Sequence, residues 1–303
     1  MTLDASAMTA VCRYCGTRYV LNREDTDYYL EFYKQMSVFL AGGRDEQDRR
    51  LRADRLWEDA DEKIFECADG KQIAIRYLYS TSLKDADIYV ARRNIIYHFR
   101  NNGAELSDKY RRVVSFIDYP SADIRKLSDF FPTVTGGFHL SDGTYILVID
   151  KNADEYPLRI FGKLTGRHVA WIISRMENLC CVLEYNSLVH PQIDPDTLFI
   201  NPYQHQVSLL GNWWNVTKKN AMGDDMSIRK MSTNLIQLRS TAKEILGDDT
   251  APAALLEFID SEPKCDAYED FAYWDEMLIK SYGERKFINF DTDDETVYGR
   301  END

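Results

Sequence analysis

The sequence predicts an α+β chain with a β-rich first half and a helical second half. Two Asp-Gly pairs, Asp69-Gly70 and Asp142-Gly143, each lie between runs of β-branched and aromatic residues, which is the signature of hairpins. Beyond a short polar connector at residues 150–154, expected to be exposed, apolar residues recur at helical spacing from Val169 onward. The 303 residues are enough to bury a sizeable core.

Taken in order, residues 1–60 read as an N-terminal extension. They hold a Cys12-x-x-Cys15-Gly16 knuckle, a strand-like Arg18-Tyr19-Val20, and Tyr29, Phe32, Tyr33, Met36 and Leu40 at helical spacing before a Gly42-Gly43 break. Residues 44–63 mix both charge signs and suit a solvated helix with Leu51, Leu56 and Trp57 as its apolar contacts. Residues 61–150 form the β-rich lobe, with hairpins at 64–78 and 137–149. A helix is expected over 85–101 from Ile88, Arg92, Ile95, Ile96 and Phe99, with Gly103 marking its end. Residues 151–290 form the helical lobe. Thr165 is the expected N-cap of a long helix whose Val169, Ile172, Ile173, Met176, Leu179, Cys180 and Leu183 share one face. Further helices are expected at 231–246, 253–259 and 268–282, and the acidic residues 291–303 should fray.

The net charge is −13, which argues against a duplex-binding face because neutralising phosphates needs a dense basic surface. The longest apolar runs, such as 145–149 and 169–173, are five residues, too short for a membrane span or a signal sequence. Six cysteines, two of them the adjacent Cys180 and Cys181, make no disulfide framework and suit a reducing cytoplasm. The expected partner is a protein, with neither nucleic acid nor membrane involved.

Between the long helix and those after it lies His190-Pro191-Gln192-Ile193-Asp194-Pro195-Asp196-Thr197, followed by the strand-like Leu198-Phe199-Ile200 and by Val207-Ser-Leu-Leu210-Gly211-Asn212-Trp213. This order of elements over residues 63–287 resembles the two-lobed protein-kinase fold, an antiparallel β-rich N-lobe and a helical C-lobe. It is also similar to kinase-like proteins of bacteriophages and bacteria. The resemblance aligns the octapeptide with the catalytic loop H-R-D-L-x-x-x-N and Gly211-Asn212-Trp213 with D-F-G. Arg76 in Ile73-Ala-Ile-Arg76 aligns with the lysine of V-A-I-K, with no G-x-G-x-x-G before it, and Asn234 in the following helix stands where an Asp is usual.

Each departure removes chemistry. Gln192 replaces the base, and a neutral amide cannot take a hydroxyl proton. Thr197 replaces the metal-binding Asn, and Gly211, in the place of the D-F-G aspartate, has no side-chain oxygen. The resemblance therefore implies a degenerate, pseudokinase-type regulatory or binding protein whose cleft positions are Arg76, His190, Gln192, Asp194, Thr197 and Gly211. The alternative is a kinase-like enzyme with altered nucleotide or phosphoryl-transfer chemistry in which Asp194 or Asp196 takes metal or base duty. Taken alone, His190, Asp194 and Asp196 also fit a capped polar turn. Trp213 and Trp214 are read first as packing, otherwise as a cleft plug or partner anchor.

Cys12 and Cys15 resemble one knuckle of a zinc ribbon, which makes structural zinc the one candidate cofactor. The other ligands would come from Cys67, Cys265, a His or a second subunit.

Overall fold

Three short antiparallel strands open the chain: β1 (Thr2–Asp4), β2 (Thr9–Val11) and β3 (Arg18–Val20). The computed structural model describes residues 2–4, 9–11, 18–20, 44–218, 224–247, 251–288 and 290–299, with side chains from residue 47 onward except at 224–232. It divides into two units, Met1–Leu56 and Trp57–Asp303. Cys12, Cys15 and the aromatic row at 29–40 lie outside the described residues. Helix α1 (Arg44–Glu58) ends before Asp61, where the chain turns to strand, so the charged helix is shorter than the 44–63 expected.

In the second unit, β4 (Asp61–Glu66) and β5 (Gln72–Tyr77) form the expected hairpin, with Gly70 at φ +82° in its turn. Next come β6 (Tyr79–Ser82), β7 (Ala86–Val90) and β8 (Asn94–Phe99), helix α2 (Gly103–Ser115), and β9 (Thr133–His139) with β10 (Tyr145–Asp150). These strands make one antiparallel sheet in the order β6-β7-β8-β10-β9. The helix expected at 85–101 is thus the β7–β8 hairpin, and Gly103 starts a helix instead of ending one. Both faces of this hairpin are covered. Ile88, Val90, Ile95, Tyr97 and Phe99 enter the main core, whereas Tyr89 and Ile96 pack with Phe65, Cys67, Leu140 and Ile146 on the other side. A strand buried on both faces loses its polar alternation, and the resulting apolar run also satisfies a helical template.

The helical lobe follows: β11 (Tyr156–Pro157), α3 (Gly166–Tyr185), β12 (Leu188–Val189), β13 (Leu198–Asn201), β14 (Gln206–Leu209), β15 (Thr217–Lys218), α4 (Asp224–Ile245), α5 (Ala253–Asp260) and α6 (Ala267–Tyr282). Helix α3 is central, with its predicted apolar row buried. Thr165 stands at its N-cap, but through its backbone carbonyl, which accepts from His168 and Val169, and not through its hydroxyl. Among the described residues no helix is long and apolar enough to cross a membrane.

Two further expectations fail. The 150–154 connector is not wholly exposed, because Lys151 is buried and donates to the carbonyls of Arg92, Asn152 and Glu155. Nor does the C-terminal segment fray over its described length. Helix α7 (Asp294–Tyr298) is capped by Asp293, and the buried Asp294 accepts from Trp57 Nε1 at 2.7 Å and Tyr156 Oη at 2.5 Å. An acidic segment docks when its carboxylate meets buried donors that need an acceptor.

Candidate functional site

The residues between β12 and β13 fold into a turn closed by its own polar groups. Asp194 Oδ1 accepts from the backbone N–H of Asp196 at 3.0 Å and of Thr197 at 3.2 Å, and Thr197 Oγ1 donates to the Gln192 carbonyl at 2.9 Å. Gln192 is held at both ends: its Nε2 donates to Asp194 Oδ2 and its Oε1 accepts from Asn212 Nδ2, each at 2.8 Å. Asp196 makes two bonds to Arg159, of 2.8 and 2.7 Å, and Arg159 also binds Glu244. Burial raises the Asp194 carboxyl above the usual carboxylate range.

His190 is fully buried, and its Nδ1 accepts from the Gln192 N–H, so Nε2 must carry the proton that it donates to the Gly211 carbonyl at 3.0 Å. Burial pushes its pKa down to about 4, the signature of a ring kept neutral. Asn234 on α4 fixes this loop from below, accepting from His190 N and donating to Leu188 O. At Gly211 an added Cβ would lie 2.9 Å from Thr197 Cα, so the two backbones meet where no side chain fits. His190, Gln192, Asp194, Thr197 and Gly211 therefore form one cluster.

Above this cluster aromatic rings from both lobes pack together around Trp214. Trp214 packs edge-on against Tyr97 and Phe99, at centroid distances of 5.3 and 4.9 Å, and stacks on Tyr110 at 6.1 Å. Tyr97 from β8 and Tyr110 from α2 both donate to the Leu210 carbonyl, at 3.0 and 2.7 Å. The β6–β7 turn adds Asp85, whose Oδ2 accepts from Trp214 Nε1 at 3.1 Å and Asn215 Nδ2 at 3.0 Å. Trp213 packs edge-on against His190 and donates to the Leu209 carbonyl.

No protein-family model matches the sequence, and no curated protein matches it. A solved structure described as "Structure of vaccinia related kinase 3" superposes on 72% of this chain and 91% of its own, with a TM-score of 0.50 and 13% identity. The chain has a protein-kinase-like fold. At 13% identity the likeness is one of fold, and the site must be judged on its own residues.

In kinases the third strand carries the V-A-I-K lysine, which pairs with a glutamate of the following helix. In this kinase-like sheet the third strand is β8, so Arg76 does not occupy that position. Arg76 lies on β5, outside the five-stranded sheet, with its side chain 53% exposed and 3.8 Å from Glu62. Reading β7–β8 as a helix left the lobe two strands short and shifted the alignment onto β5. Sequence reasoning therefore missed Tyr97 on β8 and Tyr110 on α2, whose ring centroids lie 6.1 Å apart, and Asp85. The cue was present: Leu83-Lys84-Asp85 is a tight turn where a kinase has its glycine-rich loop. These residues do not fit a magnesium nucleotide. A carboxylate, Asp85, stands in the β6–β7 turn, aromatic rings pack against Trp214, and Thr197 meets Gly211 with no room for a side chain between them. Among the described residues no cluster of three or more His, Cys, Asp or Glu could hold a metal.

Proposed function

We propose that this kinase-like chain is a catalytically inactive binding or regulatory protein that acts through contact with another protein. One observation carries the reading: Trp214 and its aromatic neighbours, latched by Asp85, fill the cleft in which a kinase would hold its nucleotide. Gln192 supports it, since a locked neutral amide offers no base. Asp194 and Asp196, the residues an altered enzyme would use, are committed to turn amides and to Arg159.

The nine Lys and Arg of residues 1–56 are matched by nine Asp and Glu, so the whole net charge of −13 belongs to residues 57–303. Such a surface speeds encounter with basic patches of proteins and repels nucleic acid. The proposal extends to a cytoplasmic setting and to a structural zinc held in part by Cys12 and Cys15, which elemental analysis of Cys12→Ser against the parent tests.

Thermal-shift scans with ATP and GTP, with and without magnesium or manganese, test the central reading. A ligand at ~100 times its Kd stabilises by about 2.7 kcal/mol, and no such shift is expected. A metal-dependent shift, together with phosphoryl transfer lost in Asp194→Asn, would establish the enzyme instead.

A further inference from the structure

Glu177 on α3, Arg239 on α4 and Asp270 on α6 meet inside the helical lobe, with both acidic side chains fully buried and that of Arg239 only 6% exposed. Arg239 commits its Nη2 to Asp270, donating at 2.9 and 2.8 Å, and reaches Glu177 Oε1 from Nη1 at a longer 3.3 Å. Asp270 has a further donor in the Lys264 N–H at 2.9 Å. Among the described residues both carboxyl groups pair with Arg239 alone, so two buried acids share one cation.

Glu177 is the poorly served member. Its Oε2 is buried with no donor to accept from, and its carboxyl lies within hydrogen-bonding reach of Asp270. Two carboxyl groups bond to each other only when one holds a proton. With both ionised, one buried charge would lack a partner, which is costly. Burial, and then the Asp270 charge, hold the Glu177 carboxyl well above the usual carboxylate range. The thiols beside it on α3 stay neutral, since burial pushes up the pKa of Cys180 and takes that of Cys181 to about 12. Helix α5 contributes the Phe258 ring, its centroid 3.4 Å from Arg239 Cζ.

From one guanidinium set between two buried carboxyl groups, and an oxygen of Glu177 with no donor of its own, we infer that Glu177 carries a proton in the folded chain and donates it to Asp270. The junction of α3, α4 and α6 is thereby a pH-sensitive latch, which loosens when that proton is lost. Glu177 ordinarily titrates near 4.5. Above that value the unfolded chain releases the proton first, and stability falls with rising pH until the folded chain releases it too. The inference is independent of whether the cleft between the lobes binds nucleotide.

Urea melts of the full chain and of Glu177→Gln between about pH 5 and 9 test it, because glutamine keeps the shape and the donor of the protonated acid and cannot ionise. The folding equilibrium constant of the parent should fall relative to that of the variant by up to about tenfold per pH unit over the lower part of that range. A pH-independent ratio, or one that moves the opposite way, would overturn the inference, since either means that Glu177 is ionised in the folded chain. Should the variant lose its fold, the assigned side-chain carboxyl resonance of Glu177 in isotope-labelled parent decides at about pH 6: a carboxylic-acid shift supports the inference and a carboxylate shift overturns it.

Discussion

Replacing Trp214 by alanine removes the largest ring from the contact between the two lobes. The indole is 3% exposed and touches Tyr97, Phe99 and Tyr110, while its N–H satisfies Asp85. Large aromatic-to-alanine changes in a core cost about 3–5 kcal/mol, transfer and cavity together. Losing the N–H bond to the half-buried Asp85 is included in that range, since water can reach the freed carboxylate. A folded domain has only about 5–15 kcal/mol in hand, so Trp214→Ala should remain folded but marginal. At about 2–4 °C per kcal/mol for a unit of this size, the melting temperature should fall by roughly 6–20 °C. Trp214→Phe retains a ring and loses the donor, so it should fall by only a fraction of that. Scanning calorimetry of both variants, with Tyr110→Ala completing a double-mutant cycle, decides the matter. A Trp214→Ala melt within about 2 °C of the parent would refute the claim that this ring holds the lobes together.

Three other outcomes are expected. His190 is neutral when folded with a pKa of about 4 and ordinarily titrates near 6.5, so only the unfolded chain gains its proton between those values. Stability should decline by about 3 kcal/mol as pH falls from 6.5 to 4, and urea melts of His190→Gln should show a shallower decline over that window. Asp294→Ala strands the donors of Trp57 and Tyr156, costing about 1–3 kcal/mol for each, and hydrogen exchange should accelerate around Tyr156; unchanged exchange would mean that the segment is not docked. Arg239 holds Asp270 through two bonds of 2.9 and 2.8 Å and reaches Glu177, all three being buried, so Arg239→Ala should destabilise by about 3–5 kcal/mol in chemical denaturation.

The helical lobe was the more legible half because its main helices are amphipathic or wholly apolar over several turns, and Gly247 and Gly283 follow two of them closely. Hairpins with Asp-Gly turns were legible for the same reason: local chemistry dictates them. The β7–β8 hairpin was not, since Arg92 and Arg93 mark its turn with neither Gly nor Pro, and burial on both faces erased its alternation. In the candidate site, the hydrogen-bonding turn of residues 190–197 was readable from its polar residues, since His190, Asp194 and Asp196 fit a capped turn. The packing around Trp214 was not, because Tyr97, Tyr110, Asp85 and Trp214 come from four separate stretches and only the folded sheet brings them together. Asp294 was misread because composition reports an acidic segment and is silent about the buried Trp57 and Tyr156 that receive it.

The close approach at Gly211 also sets which sequences can follow from this one. Placing an aspartate there would drive a methylene into the main chain of Thr197, and the main chain of a turn cannot rotate aside as a side chain can. The same turn is tied to position 210–211 by the N–H groups of Leu210 and Gly211, both bonded to the Thr197 carbonyl. Relief would require remaking the 192–197 loop at the same time. Aspartate at 211 and the present loop are thus mutually exclusive, so a related sequence that carries a side chain at 211 must also carry a different 192–197 loop.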